Sequence, residues 1–491
     1  MARKLLQGEI CFLVDSKRVY HDLNSVFLPF KKVFHFILIV GGLQIIHAGT
    51  EKRLVTHSVP ASLSKHAVSS DWPRFNGPYD DATVRESKLS LEKDGFNFKK
   101  IWELSKGEGY SSPAITKEQI VLFHLQDGHE IIEARESESG KKIWTYKYPA
   151  EYRDRYGYSN GPRSSPVIWK NRVFAHGVTA WLTCLDLKTG NLIWKRNLKK
   201  EYQIPDYFFG KGSNPIVSGN SLILNVGGKE DHCVVAFDLN SGATKWITRD
   251  EWGASYSSPV NTQIHGKNVC LVLTGGESRP PTGGLLVIDP ENGEKLSRFP
   301  WRSSTYESAN AVPPVPIGNN RVFLSECYEK GGVMLSFDST FKPKILWHKP
   351  ELNIHWMTPI MVNEHLYGVA GRHQRGAEVF CVKADSGEIK WKKRIIWQTH
   401  FMNRNLNLEF FRGSLLHCKS YFIGLSELGS LILLEMNPKG VSLIDHKQLF
   451  FAPGTWTLPA ISHGLLYIMQ NEADRASGNG PRVICYDLRS N

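Results

Sequence analysis

A chain of 491 residues with 41% hydrophobic and 22% charged side chains is a folded protein, and 14 Trp and 17 Tyr beside 7 Met favour β structure, where aromatics pack well. The net charge of +12 is spread along the chain. No dense Lys/Arg tract with interleaved aromatics occurs, which argues against a nucleic-acid partner.

The first feature in chain order is the apolar run at 34–46, FHFILIVGGLQII, which follows Lys31-Lys32 and leads to Ala48. A charged start, a short apolar stretch and a small residue make a signal peptide, so the expected location is the periplasm or the extracellular space. At helical rise this run reaches only ~20 Å, short of the ~30 Å hydrocarbon core, so no transmembrane span is expected in the mature form. No Cys follows the run, which argues against a lipid anchor. The expected organisation is an N-terminal extension with signal peptide over 1–48, a linker over 49–70 and one domain over 71–491.

Within that domain the chain repeats itself. One piece reads SGKKIW ending at Trp144, TGNLIW at Trp194, SGATKW at Trp246 and SGEIKW at Trp391, with weaker copies ending at Phe299, Trp347 and Trp102. A second piece precedes it: YSSPAI from Tyr110, RSSPVI from Arg163, GSNPIV from Gly212, YSSPV from Tyr256 and WMTPIM from Trp356. Two β-rich runs separate the pieces, so each unit reads as four short strands, and a repeat of this length marks a propeller or a solenoid. The Gly after Ser or Thr supplies the positive φ of a hairpin turn, and Asp186, Asp238 and Asp289 stand where they can accept from turn amides. The following Trp opens the outer strand and wedges its ring between neighbouring blades.

Inner-strand signals at Ser111, Ser164, Ser213, Ser257, Val312, Thr358, Ser414 and Thr457 predict eight blades. The last unit ends without an outer strand, and the KKIW segment at Lys99–Trp102 has no unit of its own. Supplying that segment to the last blade closes the ring and removes the free edges of an open array. The stretches 395–408 and 441–451 follow the pattern least well. Of the eight cysteines, Cys11 falls in the removed segment, and no adjacent or C-x-x-C pair occurs. Cys184, Cys381 and Cys485 share a repeat position with Ala134, Ala236 and Ser336, so they are expected to be small buried thiols rather than bridges or metal ligands.

These units, of form A-x-D-x-x-[ST]-G-x-x-x-W preceded by S-[SN]-P, resemble the tryptophan-docking repeat of pyrroloquinoline-quinone (PQQ) proteins over Asp71–Asn491. The opening DWPRFNGP at Asp71–Pro78 is similar to that of exported bacterial PQQ-like propellers. The resemblance implies an all-β, eight-bladed propeller and points to two branches. One is the quinoprotein alcohol and glucose dehydrogenases, which use PQQ, Ca²⁺ and an Asp base. The other is the non-enzymatic propeller lipoprotein of the outer-membrane β-barrel assembly machinery. The chain lacks the vicinal cysteines common in the first and the lipidation Cys of the second, and no calcium-ligand set aligns to it.

In a propeller the inner strands line an axial channel, and the rim loops build most ligand sites. The residues at the inner-strand starts are Tyr110, Arg163, Lys211, Tyr256, Asn310, His355, Trp356, Arg412 and Trp456. Aromatics mixed with cations suit a planar or anionic ligand, although such groups also serve simply to solvate a channel. His124, His176 and His417 lie in apolar runs and read as core residues, while Asp206 and the YFFG stretch at Tyr207–Gly210 mark a longer connection. No H-E-x-x-H, Walker loop or G-x-S-x-G occurs, and no catalytic or metal-ligating residue is nominated. The expectation is a monomeric, exported binding or scaffold propeller for a protein, peptide or small ligand. The alternative is a PQQ- and calcium-dependent oxidoreductase, a cofactor pair implied by the resemblance alone.

Overall fold

The computed structural model describes residues 51–490 apart from 93, 94, 278, 307, 374, 375 and 402, so the apolar run at 34–46 lies outside the described residues. Eight four-stranded antiparallel blades form an eight-bladed β-propeller, with one short helix, Leu198–Glu201, among the described residues. Blades 1 to 8 have inner strands beginning at Ala114, Val167, Ile216, Val260, Val315, Ile360, Ser414 and Ala460. Blade 2 shows the pattern: Val167–Trp169, Arg172–His176, Trp181–Asp186 and Leu192–Asn197 pair in order. Its two middle strands bury both faces between the neighbouring blades, which is why their sequences are almost wholly apolar.

Blade 8 closes the ring as the repeat arithmetic predicts. Its first three strands come from the carboxyl end, and its outer strand is Lys99–Ser105, which pairs Trp102 with Cys485. Leu54–Thr56 then adds a fifth strand outside Lys99–Ser105. The interval 395–408 holds an extra hairpin, Ile396–Phe401 with Arg404–Glu409, inserted between blades 6 and 7. The stretch from Gly440 to Gln448 is the outer strand of blade 7.

Each repeated residue has a mechanical task. In S-[SN]-P the second residue links neighbouring inner strands: Ser165 Oγ accepts from Ser112 N at 3.0 Å, Asn214 Oδ1 accepts from Ser165 N, and Asn214 Nδ2 donates to Ser258 Oγ at 2.7 Å. At the third-strand turn, Asp186 Oδ1 accepts from Thr189 N at 2.8 Å and from Lys188 N at 3.1 Å, and Asp238 Oδ1 accepts from Ser241 N at 2.9 Å. The Thr189 hydroxyl, which also donates to Asp186 Oδ1 at 2.8 Å, together with these amide bonds holds the Asp186 carboxyl below its ordinary value, and the Ser241 amide bond does the same for Asp238.

The Trp of one blade docks on the turn of the next. Trp144 Nε1 donates to Leu187 O at 2.9 Å, Trp194 Nε1 to Leu239 O at 3.1 Å, and Trp347 Nε1 to Ala384 O at 2.8 Å. The ring lies flat on the turn Gly, so a Cβ on Gly190 would stand 2.5 Å from the Trp144 ring. Glycine is therefore required twice over, for its φ of 72° and for the seat. Gly190→Ala is expected to cost well over the ~1–2 kcal/mol of a left-handed alanine alone. Gly128→Ala is the control, because its φ is 69° and a Cβ there meets nothing within 4 Å. Comparable urea midpoints for the two variants would refute the double requirement.

The register also corrects two sequence assignments. The residue opposite Trp347 is Met334 rather than Ser336, which pairs with Lys344, so this blade accommodates a large side chain where others have Ala or Cys. In blade 4 the Trp position is held by Ser297, opposite Val287, and Phe299 lies two residues farther along the same strand. The facing turn in blade 5 has Phe341 at φ 62° in place of Gly, and Phe341 packs in the same apolar cluster as Leu296 and Phe299. All seven cysteines among the described residues are free and buried. His124 and His176 are buried, and burial pushes the His176 pKa down to about 4. Among the described residues no helix is long and apolar enough to cross a membrane.

Candidate functional site

One residue per blade projects into the axis three positions ahead of the inner-strand Pro or its equivalent. Blades 1, 2, 4 and 6 place Tyr110, Arg163, Tyr256 and Trp356 there, and blades 7 and 8 place Arg412 and Trp456. Blades 3 and 5 place Gly212 and Ala311, and these small residues leave the space of a cavity of about 490 Å³. Seven of the nine residues expected from sequence line this one cavity, including His355, whose ring lies 4.1 Å from that of Trp356. Lys211 and Asn310 do not line it. Each stands one residue before the ring position and turns its side chain away from the axis, whereas His355, at the same offset in blade 6, keeps its ring in the wall beside Trp356. Lys211 Nζ lies buried 3.6 Å from the Tyr207 ring, and Asn310 Nδ2 donates to Thr274 O at 2.8 Å.

The far end of the channel is closed by the chain itself. Trp72 pairs with Ile115 of blade 1, Pro73 O accepts from Ile168 N of blade 2 at 2.8 Å, and Asn76 Nδ2 donates to Thr358 Oγ1 of blade 6 at 3.0 Å. Thr83–Val84 then pairs in parallel with His417–Cys418 of blade 7. The segment carrying DWPRFNGP is thus a plug. Arg74 braces it internally by donating to Asp80 Oδ1 at 2.6 Å, while Phe75, Asn76 and Ala82 form part of the cavity wall.

Ten of the lining residues are Phe, Tyr or Trp. Trp456 lies 4.9 Å from Trp356, 5.2 Å from Tyr110 and 5.7 Å from Tyr158, ring centre to ring centre. Across the mouth, Phe209 packs 5.6 Å from Tyr256 and 5.5 Å from Tyr156. Tyr256 OH donates to Glu277 Oε1 at 3.0 Å and accepts from Phe209 N at 3.1 Å, which ties the YFFG connection to the ring. Arg412 lies 4.8 Å from the Trp356 ring and 5.4 Å from the Trp456 ring. Burial and the nearby Arg412 and Arg372 charges push the His355 pKa down to about 3, so its imidazole is neutral at pH 7.

Sequence reasoning missed Tyr158, Tyr328, Arg372 and His373. Tyr328, Arg372 and His373 follow the second strands of blades 5 and 6, and in an antiparallel blade that loop opens on the same rim as the inner-strand start. That geometry was the available signal.

The cofactor pair of quinoprotein dehydrogenases can be tested against these residues. The aromatic wall suits a planar ring system. The metal does not fit: among the described residues no Asp or Glu lines the cavity, and no group of three His, Cys, Asp or Glu is placed to hold an ion.

Eight blades, six of them carrying the docking Trp, closed by an N-terminal strand around an axial pocket define a PQQ-repeat β-propeller. A family model described as outer membrane protein assembly factor BamB matches residues 101–393, and the chain belongs to that family. Outer membrane protein assembly factor BamB of Escherichia coli K12 is 28% identical over 145 residues, 30% of this chain and 31% of that protein. A 1-butanol dehydrogenase (cytochrome c) of Thauera butanivorans is 23% identical over 172 residues, 34% of this chain and 24% of that protein. These matches span less than a third of either relative. Among solved structures, a quinohemoprotein alcohol dehydrogenase from Comamonas testosteroni covers 86% of this chain and 81% of its own, with a TM-score of 0.57 and 14% identity. BamB from Moraxella catarrhalis covers 81% and 99%, with a TM-score of 0.51 and 13% identity. Both show the shared fold.

Proposed function

We propose that this chain is an exported, non-catalytic binding propeller of the cell envelope, with the axial pocket as its ligand site and residues 71–491 as the binding domain. The observation that carries this reading is the pocket's composition: aromatic and guanidinium groups with no lining carboxylate among the described residues. Such a wall binds by stacking and desolvation, and among the described residues it offers no acidic side chain to take a proton from a bound alcohol. The apolar run at 34–46 and the outer-membrane description of the matched family support an envelope location.

The second reading, a PQQ- and calcium-dependent oxidoreductase, is supported by the match to a 1-butanol dehydrogenase. Adding PQQ with Ca²⁺ to the purified protein, while following quinone absorbance and dye-linked oxidation of alcohols and sugars, decides between the two. The expected result is no turnover under any loading. Saturable uptake of the quinone together with oxidation would replace the binding reading by the enzymatic one.

A further inference from the structure

Among the described residues three arginines line the pocket, and two are already neutralised. Arg163 Nη2 donates to Asp154 Oδ2 at 2.7 Å and to Ser159 O at 2.9 Å, and Nη1 donates to Gly161 O at 3.0 Å, with the Asp154 side chain fully buried behind it. Arg412 Nε donates to Glu427 Oε2 at 3.1 Å, Nη2 donates to Glu427 Oε1, and Nη1 donates to Arg372 O at 3.1 Å. Each pair presents a flat, nearly neutral surface beside the aromatic rings.

Arg372 differs. Its guanidinium lies 4.3 Å from the Tyr328 ring centre, its side chain is exposed, and no carboxylate among the described residues is within ion-pair reach of it. His355 adds no charge, being held neutral by burial and by these same arginines. Arg155 lies over Phe208 at the rim and does not line the cavity. Among the described residues the wall therefore combines ten aromatic rings with one uncompensated cation.

Resting on the binding reading above, we infer that the pocket takes an aromatic group bearing one carboxylate, with the ring against Trp356, Trp456 and Tyr110 and the carboxylate on Arg372. A neutral aromatic would leave the Arg372 guanidinium without an anion. A trianionic quinone such as PQQ would bring three carboxylates to one free guanidinium, and the two without a partner would lose hydration with no counter-charge. The same chemistry occurs in free aromatic carboxylates and in the C-terminal aromatic residue of a polypeptide.

The test is calorimetric titration of the whole chain with naphthoate, naphthylmethanol, metal-free PQQ, and a peptide ending in phenylalanine in free-acid and amidated forms. Binding of naphthoate or of the free-acid peptide about tenfold tighter than its uncharged counterpart is expected, as for a charge-assisted hydrogen bond. Arg372→Gln should abolish that preference, and Ala311→Phe, which fills the gap in the ring, should abolish binding. A peptide response alone identifies a polypeptide source, and a naphthoate response alone a small-molecule one. Equal affinity for acid and alcohol, an unchanged preference in Arg372→Gln, tightest binding by PQQ, or no binding of any probe would each overturn the inference. Only turnover with PQQ and Ca²⁺ overturns the binding reading beneath it.

Discussion

Replacing Trp102 by Ala is expected to lower the stability of the protein by about 3–5 kcal/mol, the usual range for emptying a fully buried Trp site. The side chain is wholly inaccessible, Nε1 donates to Ser137 O at 3.1 Å in the next blade, and a Cβ on Gly140 would meet the ring at 2.9 Å. Its strand is also the joint of the ring, bonded to Arg482–Asp487 on one side and to Leu54–Thr56 on the other. Loss of the ring's packing therefore weakens the contact between the two ends of the chain, not just one blade interface. Trp391 is the comparison, because its Nε1 bond to Asn437 O at 2.8 Å is solvent-exposed and its side chain is only half-buried. Its neighbouring turn also lacks a glycine seat, since a Cβ at Gly440 meets nothing within 4 Å. Trp391→Ala should cost less than half as much by urea unfolding. Trp102→Ala should further become sensitive to proteolysis between residues 57 and 98 before the remainder unfolds. Equal losses in the two variants would show that the closing strand has no special role.

Whatever the repeat carries was legible in the chain, because each repeated residue answers to a local physical demand. Gly140, Gly190, Gly242, Gly293 and Gly387 all seat a Trp from the blade before, so the Trp and the Gly identify each other. Where the pattern breaks, the cause is a paired exchange that only the structure displays. Ser297 without a ring faces Phe341 without a glycine. In blade 7 the Trp position holds Asp445, opposite Leu433, and its carboxylate accepts from Phe96 N at 2.7 Å because the chain ends meet there and no hairpin turn is available as a seat. The pocket was legible only in part. Inner-strand starts located seven lining residues: the position three before the Pro or its equivalent faces the axis in every blade, while the residue before it joins the wall at His355 but not at Lys211 or Asn310. The plug was invisible because it is used once, and Asn76 and Thr358 are too far apart in sequence for periodicity to relate them.

Glu130→Gln is expected to stabilise the protein by about 3 kcal/mol at pH 8 and by less than about 1 kcal/mol at pH 5. Glu130 is fully buried between blades 1 and 2, and burial raises its pKa from 4.5 to about 7 against the opposing pull of the Val178 amide and the Tyr148 hydroxyl. A carboxyl with a raised pKa binds its proton more tightly in the folded state. The folded protein therefore loses stability as pH rises from about 4.5 to about 7, and the full penalty stands above that window. Gln keeps an acceptor for Val178 N, now bonded at 2.8 Å to Oε1, and removes the charge. His176 has the opposite slope, because its pKa is depressed to about 4 and its buried neutral form resists acid. The two groups oppose one another between about pH 4.5 and 6.5, and His355, depressed to about 3, adds to the slope of His176, so the parent protein's own pH profile isolates none of them. Urea unfolding of parent and variant at the two pH values isolates the carboxyl. A variant less stable than the parent at pH 8, or a difference that does not shrink on acidification, would mean that Glu130 is ionised and compensated by a partner such as Lys195, whose Nζ lies 3.9 Å from the Tyr148 ring.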